Sequence, residues 1–497
     1  MSDLKSVCKN SGSALYASAQ RCDLTFYSSG RKVKDPLYAK ILIINDGKKS
    51  IILITIDTTA IGGREITKGT LPDTSKNFLP KLRSSIEKIS SISGENILVN
   101  ASHTHPPGRL LIDEDKIIDR ITRTVVRASK NMRPAKAGYG TGAEKRISMN
   151  RTVTLRDGRD WTIRHAHPSP PEDEILTRGP VDTGVYVIRI DHIDGTPLAV
   201  VYNFACHLLW ANPQNDLSAN IPGTASAIIE KELGNDAVAL FLQGAAGDIC
   251  DLGYKNFLSV RNTEKYGRYL AESTLRIFKK IRPITASIDS ESDYIALPRR
   301  RDIGKIIHAL EKERIELSKK TKSCSFDLKD YMDCNYFYCK KTKHTSGKDT
   351  QNSMIHTVRD KMRAFEQNVR LLNRIIVINE NLATLRFHKS LIDASGSKPF
   401  LSQCLALRIG NCVIITTATE LLTAPALRLK NKSPYAHTII AAYSNGYLHY
   451  GALPESYQKG GYEVTECQLA PSWYGMYEKK ILQMLEMIKK RDLLNYK

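Results

Sequence analysis

The sequence predicts an α/β fold: a mixed multi-stranded β core covered by helices, with a helical insertion near residues 297–379. Three observations carry that prediction. Short apolar runs of strand length end repeatedly in histidine, carboxylate or tyrosine. Stretches with apolar residues at helical spacing alternate with those runs, which argues against a repeat protein or an all-β sandwich. Between 297 and 379 the chain turns charged and lysine-rich before the strand pattern resumes. With 497 residues, 41% hydrophobic and 25% charged, the chain is globular and can build a large core. A single domain over 1–497, with the insertion inside it, is expected.

Up to about Gly63 the chain reads as strands and turns. The run from Leu37 to Ile44 stops at Asn45-Asp46-Gly47, a hairpin signal, and Ile51 to Ile56 answers it. Asp57 follows at a strand end, where a carboxylate either supports a site or caps the next segment. Phe78, Leu79, Leu82, Ile86 and Ile89 share one face of a helix expected over 76–92, with Pro80 tolerated in its first turn. Asn96-Ile97-Leu98-Val99 is a buried strand leading into Asn100-Ala101-Ser102-His103-Thr104-His105, after which Pro106, Pro107 and Gly108 turn the chain away. His103 and His105, two apart at a strand end, project to one face. Such a pair supplies a metal ligand and an acid/base partner, or forms a solvated edge. A second helix is expected over 116–132.

Met149-Asn150-Arg151 closes a glycine-rich connection. Arg151 is suited to a carboxylate or a developing oxyanion, or is a surface cation. His165-Ala166-His167, among prolines and with no apolar strand beneath it, reads as a solvated loop. The run from Leu198 to His207 repeats the earlier geometry, a histidine at the end of an apolar strand. Ser218 to Gly223 opens a helix running to Leu233, and the strand from Ala237 to Leu242 empties into Gln243-Gly244-Ala245-Ala246-Gly247-Asp248-Ile249-Cys250. Glycines there let backbone amides approach a ligand. In the insertion, Met362, Phe365, Val369, Leu372 and Ile376 form one apolar helical face, and a loop over 323–352 carries aromatics and cysteines; the segment is a lid or a covering layer. Cys412 to Thr417 then leads to Glu420, Thr438 to Ala442 leads to Tyr443 through Tyr450, and a closing helix over about 477–491 turns Ile481, Leu485 and Ile488 inward.

Lysine and arginine exceed aspartate and glutamate by 73 − 52 = 21. The excess is spread along the chain without a basic-aromatic module, so nucleic acid is not an expected partner, while peripheral contact with an acidic membrane is compatible with it. Ten cysteines are scattered; Cys324, Cys334 and Cys339 lack the paired spacing of a structural zinc site. The first residues lack the apolar core of a signal peptide, and a cytoplasmic location is the expectation.

Residues that bind or activate thus recur at strand ends: His103, His105, His207, the Gly-Asp-Ile-Cys loop, Glu420 and Tyr450. In α/β domains sites assemble where strand ends meet. Two histidines, a glutamate and one more oxygen donor make a plausible zinc site with room for water. In this arrangement the chain resembles the N-terminal zinc-bearing domain of the neutral/alkaline non-lysosomal ceramidase family. The resemblance rests on Ser102-His103-Thr104-His105, Asn150-Arg151, Asn203 to His207, Ser218 to Gly223, Gln243 to Asp248, Tyr447-Leu448-His449-Tyr450 and Glu455 to Glu463, in order along nearly the whole chain. It implies Zn2+ held by His103, His207, Glu420 and Tyr450, with His105, Arg151 and Tyr462 near a substrate amide. A small-molecule or lipid amide would be cleaved by metal-activated water, with His105 passing a proton to the leaving amine and Arg151 and Tyr462 supporting the oxyanion. Cys250 stands where the family has a serine, which leaves a cysteine nucleophile, or a non-catalytic metal-containing protein, as alternatives. The family's C-terminal immunoglobulin-like domain is expected to be absent.

Overall fold

The computed structural model describes residues 15–25, 32–62, 74–105, 113–164, 169–209, 216–251, 263–321, 348–396 and 398–495, with only the backbone for 348–359 and 495. His165, His167, Pro106 to Gly108, Cys324, Cys334, Cys339 and residues 323–347 of the loop expected over 323–352 lie outside them, while 348–352 are helical rather than loop. The chain divides into two compact units, a larger one and a helical one made mainly of 301–390.

The larger unit is built on two sheets. One has eight strands in the order Val238–Gln243, Pro197–Phe204, Gly184–His192, Arg133–Ala143, Leu15–Asp23, Tyr38–Asn45, Ser50–Ile56 and Ile97–Ala101. Its two outermost pairings are parallel and the rest antiparallel, so it is mixed. The other has four strands, Ile288–Leu297, Phe400–Ile409, Cys412–Thr416 and His437–Ala441.

The apolar runs are continuous rather than alternating because both faces of these strands are covered. Along Tyr38–Asn45, Leu42 and Ile44 join a core shared with Leu405, Leu407 and Ile414 of the four-stranded sheet. Ile41 and Ile43 point the other way, into a core with Leu82, Ile86, Ile121 and Val125 of the helices Phe78–Ser90 and Glu114–Lys130. The outer face of the second sheet, Val413 and Ile415, shares that core with Ile481, Leu485 and Ile488 of the helix Trp473–Asn495. Alternate residues therefore serve two cores at once, sheet on sheet and sheet on helix.

Asn45-Asp46-Gly47 makes the hairpin turn: Gly47 takes φ 85°, a conformation open to glycine, and Asp46 N–H donates to Lys49 O at 3.2 Å. Asp57 meets the Ser102 side chain, next to His103 in sequence. Its Oδ2 accepts from Tyr38 N–H at 2.9 Å, and burial pushes its carboxyl up to about 6. Ile89, expected on the buried face of its helix, is 39% exposed near the helix end.

In the helical unit, Ile303–Lys320 and Lys348–Ser395 run antiparallel, joined by Arg386 with Glu311 and Arg374 with Glu313. The second helix continues well past 379. Its face of Phe365, Val369, Leu372 and Ile376 is exposed. Among the described residues no helix is long and apolar enough to cross a membrane.

Candidate metal centre

The strand Ile97–Ala101 ends two residues before His103. Ser102 N–H still donates to Ile56 O, but His103 adopts φ 59°, a left-handed conformation that no strand continues through. The two imidazoles share a face because the chain breaks there, not because the pleat extends. Tyr443, Asn445 and His449 also lie at φ 55–57°. For residues of this size such conformations cost about 1–3 kcal/mol each and persist only where neighbours hold them. Asn445 shows how: its backbone N–H and side-chain Oδ1 bond Val99 O and Val99 N–H at 2.9 and 2.8 Å.

His207 leaves the end of Pro197–Phe204 and reaches the same point. The Nε2 atoms of His103 and His207 are 3.1 Å apart, and those of His103 and His105 are 3.2 Å apart. His103 Nδ1 lies 2.7 Å from Thr59 O and His207 Nδ1 3.2 Å from Ala246 O. A carbonyl only accepts, so each Nδ1 carries the hydrogen and each Nε2 presents a lone pair. Burial pushes His105 down to about 3 and His207 well below the usual imidazole range.

Glu420 completes the cluster, with Oε2 3.5 Å from His103 Nε2. Burial would raise its carboxyl, but His103, His207 and His449 hold it well below the usual range. Tyr447 donates its hydroxyl to Oε1 and Tyr443 donates to Oε2 at 3.4 Å, while the Tyr443 ring stacks on His103 at 4.1 Å. Two facing lone pairs repel unless a cation stands between them, and one proton satisfies one pair. The His103 and His207 nitrogens, 3.1 Å apart beside a carboxylate, fit a divalent ion: ligands at ~2.0–2.1 Å in tetrahedral array stand roughly 3.3 Å apart. The Nδ1 contacts to carbonyls are the orienting bonds metal-binding histidines make. His103, His105 and His207 form a group able to hold a metal ion.

Tyr450 pairs in register with Glu420 across the short strands Glu420–Leu421 and Tyr450–Gly451. Its hydroxyl accepts from Arg151 at 3.0 Å. Arg151 Nε donates to Glu463 at 2.9 Å, and a terminal nitrogen also bonds Gly247 O at 2.8 Å. Glu463 in turn accepts from Thr162 at 2.5 Å and Thr152 at 3.1 Å. The guanidinium is thus committed to the scaffold around Tyr450. The Tyr462 ring packs edge-on against Tyr450 at 5.5 Å, under the Arg164 guanidinium at 3.9 Å.

Cys250 is 1% exposed, in a strand paired with Met149. Burial pushes its thiol far up from the ordinary range, which disfavours the thiolate form. Sequence reasoning assigned no role to Tyr443, Tyr447 or Glu463. All three lie in or beside quoted motifs, and buried polar aromatics clustered with histidines are the signal that points to them.

No family model matches the chain. It is 27% identical over 177 residues to neutral ceramidase B of Dictyostelium discoideum and 26% identical over 179 residues to neutral ceramidase A of that organism. Each match spans 31% of this chain and only 23% or 24% of the relative. A neutral ceramidase structure from Pseudomonas aeruginosa superposes with TM-score 0.63 at 15% identity, covering 97% of this chain and 75% of that one. A ceramidase described as complexed with C2 gives 0.62 at 15% identity, covering 96% and 76%. At that identity the likeness to the solved structures concerns the fold.

Proposed function

Because this chain is related to the neutral ceramidases, we propose that it is a zinc-dependent hydrolase of a linear amide, acting on an N-acylated lipid of the ceramide class. The observation that carries this reading is the approach of His103 Nε2 to those of His207 and His105, at 3.1 and 3.2 Å, beside the ionised Glu420. His103, His207 and Glu420 would hold the ion, with Tyr450 as the fourth ligand that the family resemblance implies. A bound zinc ion supplies Lewis acidity for the amide carbonyl and brings the pKa of water toward neutrality.

The protein's own residues do the rest. Thr59 O and Ala246 O hold His103 and His207 in the tautomer that leaves Nε2 open. Tyr447 and Tyr443 donate to Glu420 and so fix its oxygens. Neutral His105 offers an acceptor for a proton bound for the leaving nitrogen. Arg151 orients the Tyr450 phenol by donating to its oxygen, which fixes the direction in which that oxygen faces the histidine cluster. Cys250 is bridged to His207 along the backbone, but its side chain is buried and burial pushes the thiol up, which favours this chemistry over a cysteine mechanism.

The test is hydrolysis of an N-acyl sphingoid amide by the purified chain, with metal content measured in the same sample. Activity that is lost on chelation and returns with Zn2+ is the expected result. Turnover that survives in a zinc-free preparation would refute the reading.

A further inference from the structure

Gln243 ends the strand Val238–Gln243 and is completely buried. Its Nε2 donates to Ser102 O at 3.0 Å and to Cys206 O at 2.9 Å. These are the carbonyls immediately before His103 and His207. Its Oε1 accepts from the N–H groups of Gly244 at 3.0 Å and Cys206 at 3.4 Å. Two donor hydrogens facing two carbonyls, and one oxygen facing two N–H groups, define the orientation of the amide.

The backbone of Gln243 is pinned as well. Its N–H donates to Asn100 Oδ1 at 3.0 Å and its carbonyl accepts from Ala442 N–H at 3.0 Å. Asn100 closes the ring by donating to Ala442 O at 2.6 Å and to Ser444 at 2.9 Å. One residue therefore joins the segments that carry His103, His207 and Tyr443. Ser102 and Cys206 have already left their strands, so among the described residues no ladder partner fixes their carbonyls, and a side chain supplies the bonds that a ladder would.

We propose that Gln243 is a positioning residue for the metal centre: one buried amide holds the two histidine-bearing turns at the separation that brings His103 and His207 together. This rests on reading the cluster as a metal site. Asn203 provides a built-in contrast. Its buried amide donates to Leu242 O at 2.8 Å and Ile440 O at 3.1 Å, tying strands together without touching either histidine turn.

The experiment compares full-length Gln243→Met, Gln243→Glu and Asn203→Leu with the parent. Three quantities are read: Zn2+ affinity by competition with a chromophoric chelator, the visible spectrum after loading with Co2+, and the melting temperature of metal-free protein. Gln243→Glu keeps the side chain's volume and its acceptor while leaving at most one donor hydrogen for two carbonyls, so it serves where the methionine variant does not fold. Both Gln243 variants should bind Zn2+ roughly tenfold or more weakly and change the cobalt spectrum. Asn203→Leu should lower the melting temperature yet keep parental affinity and spectrum. Parental Zn2+ affinity in a folded Gln243 variant overturns the proposal. So does loss of the fold in both Gln243 variants, or an affinity loss in Asn203→Leu as large as theirs, since either makes the amide general scaffold. If the parent binds Zn2+ but hydrolyses no amide, the reaction assignment falls and the Gln243 comparison stands; if it binds neither ion, both fall.

Discussion

Two buried polar networks meet at the strand ends, and they differ in whether folding alone completes them. Around Arg151 the pairing is closed: guanidinium to Glu463, Gly247 O and Tyr450, and Glu463 to two threonines. Around His103 the pairing is open, because three Nε2 atoms face one another and Glu420 stays ionised beside them. A closed network rigidifies its surroundings. An open one of this kind is completed by a cation, which is why the second is the candidate centre and the first its support.

The largest effect should come from the open network. His103→Ala or His207→Ala is expected to abolish zinc retention and cut amide hydrolysis roughly a thousandfold or more, since a Lewis acid is worth several kcal/mol. Metal analysis and steady-state assay on the same sample check this, and a variant that keeps both zinc and turnover breaks the contrast. In the closed network the cost should be stability. Arg151→Met leaves Glu463 buried and unpaired, at about 3–5 kcal/mol by urea unfolding, and Arg151→Met/Glu463→Leu should recover most of it. If the double variant is no better than the single one, the network is not closed as described.

Gly247 sits where the networks touch: a Cβ there would lie 2.6 Å from Glu420 O. Gly247→Ala should therefore cost about 1–3 kcal/mol through overpacking; an unchanged denaturation midpoint counts against that close approach. Tyr450 belongs to both networks, and Tyr450→Phe sharpens the boundary. Weaker zinc retention in a fully folded protein is the outcome expected of a ligand, whereas unchanged retention with lower kcat makes the phenol an oxyanion donor only.

The most modest effect concerns pH. His105 is held at about 3 in the fold against 6.5 in the unfolded chain, so the unfolded state takes up the proton first. Its contribution to stability is whole above pH 6.5 and is lost as pH falls from there toward 3. Metal-free His105→Asn should lose less stability than the parent between pH 6.5 and 4. Parallel acid limbs in the two unfolding series would remove His105 from the cluster's electrostatics.

The strands and most helices were legible because burial leaves local marks. Ile51 to Ile56 reads as a strand covered on both faces, and the helix of Leu82 and Ile86 shows its period, since a single backbone geometry repeats along each. The residue types at strand ends were legible for the same reason, as polar groups interrupting apolar runs. The left-handed turn at His103 was not, since nothing in a histidine codon-to-codon neighbourhood announces φ 59°. Nor was the engagement of Arg151, whose partner Glu463 lies 312 residues away.

By itself, then, the chain's order of residues determined where strands and helices form and that histidine, glutamate and tyrosine stand where strands end. Tertiary structure alone decided which of them face one another. Periodicity is a property of neighbours along the backbone, whereas the meeting of His103 with His207, and of both turns with Gln243, depends on strand order, register and left-handed breaks that bring distant segments to one point.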